Sequence, residues 1–208
     1  GFDVDSVKWI AEQKGFNVEI QAVAWDGIIP ALQTGKIDMV YSGMSITPDR
    51  EEKVNFTIPY WQVNQSVVAL ADSEVTMDQF TNGTLVIGVQ RSCSADQWMQ
   101  KSEDEGGLFG EEKYNQLVKD GNIKLYDSFP MSMVAREQGL VDVVIFDDAN
   151  VENHIKGKSQ FAIVGVIETG EYYAVAVRKD DNDLRELMNE GLTELMASDK
   201  WDELIAQY

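Results

Sequence analysis

The apolar pattern of this chain changes period again and again. Runs with the two-residue period of a strand alternate with runs at helical spacing almost throughout. The segment "DVDSVKWIAEQKG" places Val4, Val7, Ile10 and Ala11 at helical spacing and ends on Gly15, a helix stop. "FNVEIQAV" then alternates like a strand, and "WDGIIPALQTGK" reads as a short helix with Asp26 as N-cap and Gly35 as stop. "IDMVY" is a buried strand, after which Thr47 caps a helix that has Pro48 at its first position. The long strand "QSVVALA" follows, and the alternation begins a second time. It runs through the strand "TLVIGVQ", the helices "SADQWMQKSE" and "EEKYNQLVKDG", the strand "NIKLYD", the helix "PMSMVAREQGL", the strand "VDVVIF" and the helix "DDANVENHI". "QFAIVG" is a further strand, "EYYAVAV" mirrors "QSVVALA", and two helices close the chain. The charged, Gly-rich "EDEGGLFGEE" reads as an exposed loop.

An α/β pattern that runs twice predicts two lobes. The two long strands, at residues 65–71 and 172–177, are expected to act as hinges that cross between the lobes. Lobe 1 is then residues 1–66 with 174–208, and lobe 2 is residues 70–171, inserted within it. A ligand would sit in the cleft between the lobes, where strand ends and helix N-termini converge.

Composition narrows the function. With 44% hydrophobic and 25% charged residues the chain buries a core. Its 17 basic and 36 acidic residues leave a net charge of −19, which argues against nucleic acid or an anionic membrane as partner. The charge is read either as a solubility device or as an attraction for a basic ligand. One cysteine, Cys93, and one histidine, His154, exclude an internal disulfide, a multi-cysteine metal site and a His cluster, so neither metal nor cofactor is expected. Apolar runs such as "VDVVIF" are too short to cross a bilayer. The opening "GFDVDSVKWI" lacks a signal-peptide pattern, which fits a removed leader, a cytosolic protein or a trimmed chain.

Four stretches carry chemistry, each with a functional and a plainer reading. In "SGMSITPDR", Arg50 lies in the first turn of a helix, where its charge opposes the helix dipole. A carboxylate bridging Arg50 and unpaired first-turn amides would resolve that conflict; the plainer reading is an exposed pair with Asp49 or Glu51. In "VQRSCSADQW" a strand ends at Gln90 and a small-residue turn leads to Ser94 near a helix N-cap, which is either an anion seat or an ordinary cap. In "VDVVIFDDAN" Asp147 stands at the C-terminal end of an apolar strand, placed to pair with an ammonium group, with Asp148 as N-cap; the alternative is that both acids only cap. Trp25 at another strand-to-helix turn is either a lid on a ligand side chain or a packing residue.

"WDGIIPALQTGKIDMVYSGMSITPDREEKVNFTIPYW" closely resembles the signature of the polar amino acid-binding proteins of ABC transporters, solute-binding protein family 3, with the type II periplasmic-binding-protein fold. "VIGVQ" with its small-residue turn, "VDVVIFDD", "YYAVAVRKDDNDL" and "SDKWDELIAQY" match in order, so the resemblance spans essentially the whole chain. It implies that Arg50 forks a ligand carboxylate beside Ser45, and that the Ser42–Gly43 loop meets the ligand through its main chain. It also implies that the Ser94 amide caps the carboxylate, that Asp147 takes the ammonium, that Trp25 packs on the ligand side chain, and that Gln90 sits among variable side-chain contacts. The implied partners are a free L-amino acid and a membrane permease. The implied protein is a monomer, periplasmic or extracellular, either free or tethered to the membrane as a lipoprotein. A sensor module of a signalling receptor, and an enzyme similar to the cyclohexadienyl dehydratases, are the alternatives; Asp147 retained beside Arg50 favours binding without turnover. Two departures stand out. The turn after Gln90 carries Arg91-Ser92-Cys93-Ser94 where the family usually has Gly-Thr, and Gly accepts backbone angles that Ser resists. The family also has a strand and loop ahead of the "GFDVD" segment, with a side-chain contact on them, and these are not in the sequence read here.

Overall fold

The structure, a computed structural model, describes residues 1–208. It divides into two compact units, residues 1–62 with 171–208, and residues 63–170.

The first unit opens with α1 (Phe2–Lys14), which buries Ser6, Val7, Ile10 and Ala11. Gly15 ends it in the left-handed region at φ 75°, donating its N–H to the Ala11 carbonyl. A 3₁₀ turn (Trp25–Gly27) leads into α2 (Ile28–Gln33), then β1 (Met39–Ser45), α3 (Pro48–Glu51) and β2 (Asn55–Phe56). The helices α9 (Asn182–Met196) and α10 (Asp199–Gln207) complete the unit. Its core joins Ile28 and Leu32 to Val40, Met44, Val54 and Phe56 and to Ala174 and Ala176. The helix α9 approaches α1 closely at Gly191, where a Cβ would lie 2.4 Å from Ile10 Cγ2.

The second unit sets β3 (Trp61–Leu70) antiparallel to β6 (Val143–Asp147), with β4 (Ile87–Gln90) parallel to β6 and β5 (Ile123–Tyr126) parallel to β4. Five helices belong to it: α4 (Met77–Thr81), α5 (Ser94–Gln100), α6 (Glu111–Lys119), α7 (Phe129–Glu137) and α8 (Asp148–Ile155). Val143 and Ile145 enter a core with Phe80, Ile87, Val89 and Met99, whereas Val144 enters another with Phe129, Met133 and Val151. Burial of β6 on both faces explains why "VDVVIF" is apolar without alternation.

The structure corrects several expectations. Residues 16–24 form no strand. β1 stands at the end of the strand order, so its outer edge has no strand beside it, and a cavity of about 640 Å³ is lined both by Phe16, Val18 and Ile20 and by Met39, Val40 and Tyr41. With that cavity between the segment and the β1 edge, its alternation makes no backbone ladder. "QFAIVG" and "EYYAVAV" are not separate strands but parts of β7 (Phe161–Val177), 17 residues long. The N-cap of α2 is Gly27 rather than Asp26, because the 3₁₀ turn occupies Trp25–Gly27. "EDEGGLFGEE" is exposed only in part: Leu108 and Phe109 pack against the core, and Gly107 has the Lys101 and Trp98 carbonyl oxygens about 2.4–2.5 Å from where a Cβ would stand.

Candidate functional site

In the first unit, β1 ends at Ser45 and Thr47 caps α3, accepting the Arg50 N–H at 3.3 Å. The expected Thr47 cap is present, and of the first-turn amides it occupies that of Arg50. The Arg50 side chain is buried, 3% exposed, while Asp49 and Glu51 are exposed. Its Nη1 donates to the Ser45 carbonyl at 2.7 Å, and its Cζ lies 5.6 Å from the centroid of the Trp25 ring. A guanidinium over an indole face is attracted by the ring quadrupole, and the ring also shields it from water. Trp25 is half-buried and packs against the core of the unit as well, as its packing reading expects. Ser45 is buried too, and its hydroxyl donates to Glu171 Oε2 at 2.9 Å.

Ser42 and Gly43 belong to an irregular part of β1. The register with β7 is shifted between Val40 and Met44, and Gly43 has φ 54°. A bulge bends the strand and re-aims its residues. A side chain at Gly43 would be strained by that φ, and its Cβ would stand 3.4 Å from the Tyr173 ring. Ser42 is exposed at this bend.

In the second unit, Asp147 and Gln65 are opposite residues of the β6–β3 ladder. Gln65, fully buried, donates through Nε2 to Asp147 Oδ1 at 2.7 Å and lies 3.4 Å from Ser94 Oγ. One amide side chain thus brings the end of β6 together with the start of α5. Asp147 occupies the N-cap position of α8 without a side-chain cap bond, and Asp148, expected as the cap, is the first helical residue, accepting the Ala149 N–H. The Asp147 carboxylate, 6% exposed, is turned to Gln65 rather than spent on capping. Gln90 accepts the Phe129 N–H at 2.8 Å and so anchors the start of α7.

The turn before α5 is held in a costly conformation. Ser92 has φ 64°, the one residue other than glycine in the left-handed region, and Cys93 rather than Ser94 is the N-cap. Buried Asp96 accepts the Ser92 N–H at 2.8 Å and the Tyr114 hydroxyl. Burial pushes the Cys93 thiol well above its usual range, which keeps it protonated and unreactive. A left-handed residue with a side chain costs about 1–2 kcal/mol, and glycine gives back about 0.5–1 kcal/mol of that in lost chain entropy. Ser92→Gly is therefore expected to raise stability by up to about 1 kcal/mol, read as a higher urea midpoint with unchanged slope. A lower midpoint would show that the Ser92 side chain contributes more than its strain costs.

Gln65 and Glu171 were not singled out in the sequence. The signal for Gln65 was a long amide inside the apolar "VNQSVVALA"; for Glu171 it was an acid at the head of the apolar "YYAVAV" run.

The architecture is that of the two-lobed periplasmic binding proteins. The structure matches the P235GK mutant of ArgBP from T. maritima with a TM-score of 0.85 at 32% identity, covering 100% of this chain and 84% of that one. It matches an ancestral arginine-binding protein bound to glutamine with a TM-score of 0.84 at 31% identity, covering 100% and 87% of the two chains. The chain belongs to the bacterial extracellular solute-binding proteins, family 3, whose profile matches residues 1–208. Its relatives include a probable histidine-binding protein of Neisseria gonorrhoeae, 28% identical over 100% of this chain and 74% of the relative. Another is ABC transporter arginine-binding protein 1 of Escherichia coli K12, 28% identical over 100% of this chain and 81% of the relative.

Proposed function

We propose that this protein binds a free L-amino acid, without chemical turnover, and delivers it to the membrane permease of an ABC transporter. Arg50 receives the α-carboxylate, with the Ser45 hydroxyl and the Ser94 amide beside it. Asp147 receives the α-ammonium, the Ser42–Gly43 main chain contributes to both, and Trp25 packs on the ligand side chain. The observation that carries this reading is a buried charge of each sign. Arg50 is shielded by Trp25 and Asp147 is held by Gln65, which suits the two ends of a zwitterion. Neither charge is placed as a surface pair would be. Family membership supports an extracytoplasmic location, and no helix is long and apolar enough to cross a membrane. The names of the relatives support arginine, histidine and glutamine as first candidates.

A thermal-shift panel of the L-amino acids, with native mass spectrometry of the purified protein, tests the reading. A ligand at about 100 times its dissociation constant stabilises by roughly 2.7 kcal/mol, several degrees in melting temperature. Saturable binding with the amino acid recovered intact is expected; no shift with any of them would overturn the assignment.

A further inference from the structure

We infer that Gln65 is a positioning residue that presets the second unit for its ligand, by fixing the Asp147 carboxylate and the start of α5 against each other. The inference rests on the binding roles proposed for Asp147 and Ser94. Val63, Gln65, Val67 and Ala69 stand at alternate positions of β3, each 1% exposed or less. Successive side chains of a strand face opposite ways, so the Gln65 amide shares its face with three apolar residues. Burying an amide there costs stability unless hydrogen bonds compensate it, and a hydrocarbon of the same length would avoid that cost. The residue is therefore explained by what it bonds. Its Nε2 carries two hydrogens. One is donated to Asp147 Oδ1 at 2.7 Å, across the β3–β6 ladder, and the same nitrogen reaches Ser94 Oγ at 3.4 Å.

The amide suits this place better than a cation. A lysine or arginine would bring its own positive charge and compete with an ammonium group for the carboxylate. The Gln65 amide stabilises the ionised carboxylate and adds no charge, so the pull on a cationic group is kept. A bond to one oxygen also sets the plane of the carboxylate, which α8 does not do through a cap bond. Asp147 and Ser94 are each 6% exposed, and they are the last residue of β6 and the first of α5. One side chain thus fixes the spacing of two groups assigned to opposite ends of a zwitterion. A preset site loses less freedom on binding than one that has to be assembled around the ligand.

The test compares Gln65→Met, which keeps the length of the side chain and removes its donors, with Ile123→Val. Ile123 is a buried residue of β5, level through Ile87 with Val143, at the opposite end of β6 from Asp147. Affinities for L-arginine, L-histidine and L-glutamine are measured by calorimetry well below each melting temperature. Amide hydrogen exchange of peptides spanning residues 92–96 and 145–150 is measured without ligand. Gln65→Met is expected to weaken binding and to speed exchange in both segments, each about tenfold, the scale of one charge-assisted hydrogen bond. On an Asp147→Asn background the same substitution should weaken binding by no more than about threefold, because the group it orients has lost its charge. Ile123→Val should lower the melting temperature while leaving affinity and exchange at their wild-type values. Wild-type affinity or wild-type exchange in a folded Gln65→Met protein would overturn the inference, as would equal changes in Ile123→Val. So would a tenfold loss repeated in full on the Asp147→Asn background, since such an effect does not pass through Asp147. If Gln65→Met does not fold, Gln65→Glu decides: it has the same shape but sets an acceptor against Asp147, and wild-type affinity and exchange in it would overturn the inference. The exchange readout needs no ligand, so a wild-type protein that bound none of the amino acids would defeat the proposed function while this result stood separately.

Discussion

Arg50→Ala is expected to weaken amino acid binding by about a hundred- to several-thousandfold. The side chain is 3% exposed, it sits over Trp25, and its neighbours Asp49 and Glu51 face solvent. Removing one partner of a desolvated charge pair costs roughly 3–5 kcal/mol, because the carboxylate of the ligand keeps its desolvation penalty and loses its counter-charge. At about 1.4 kcal/mol per decade this gives the stated range. An exposed pair would be worth only about 0–1 kcal/mol, so the two readings of Arg50 differ by more than any calorimetric error. The ligand-free protein should lose stability as well, by about 1.5–3 kcal/mol, since Nη1 no longer reaches the Ser45 carbonyl at 2.7 Å. The measurement is calorimetry on wild type and variant, with the melting temperature of each ligand-free form to separate affinity from folding. An affinity within threefold of wild type would return "SGMSITPDR" to the plain role of a helix start after a buried strand.

Asp147→Asn should come next in size, weakening binding by about thirtyfold to a few thousandfold. The substitution keeps the shape of the side chain and an oxygen that can accept the Gln65 Nε2–H, now 2.7 Å from Oδ1. What it removes is the charge. Truncating one member of a buried, hydrogen-bonded charge pair typically costs 2–5 kcal/mol, chiefly through the stranded partner, here the ammonium of the ligand. The ligand-free fold should be little affected, because an asparagine of the same shape still offers an acceptor to the Gln65 Nε2–H. The loss is expected mainly in the dissociation rate, which stopped-flow fluorescence or surface-based kinetics would resolve. If Asp147→Asn bound the same amino acid as tightly as wild type, the ammonium assignment would fall and Arg50 would be left as the only tested end of the site.

Much of the secondary structure was legible because its causes are local. Helical spacing in residues 2–14 with Gly15 behind it, the Thr47-Pro48 start, and the two-sided apolar run of β6 each report a nearest-neighbour preference that tertiary packing did not override. The positions of Arg50, Ser45, Ser94 and Asp147 at strand ends and helix starts were legible for the same reason. Whom each of these residues meets was not. Gln65 bonds Asp147 across 82 residues of chain, and Ser45 bonds Glu171 across 126, and no periodicity encodes a partner so distant. The turn of Arg50 toward Trp25 rather than toward Asp49 or Glu51 followed from burial, which the four-residue α3 does not specify by itself. Residues 16–24 alternate as a strand should and still form none, because a strand is completed by a neighbour's backbone and not by its own pattern. In this protein the sequence by itself determined most of the helices with their stops, the two-sided apolar strand β6, and where the charged groups stand along the chain. Only the tertiary structure decided which of those groups are buried and which partner each one bonds, because burial and ladder register are properties of contacts between segments remote in the chain.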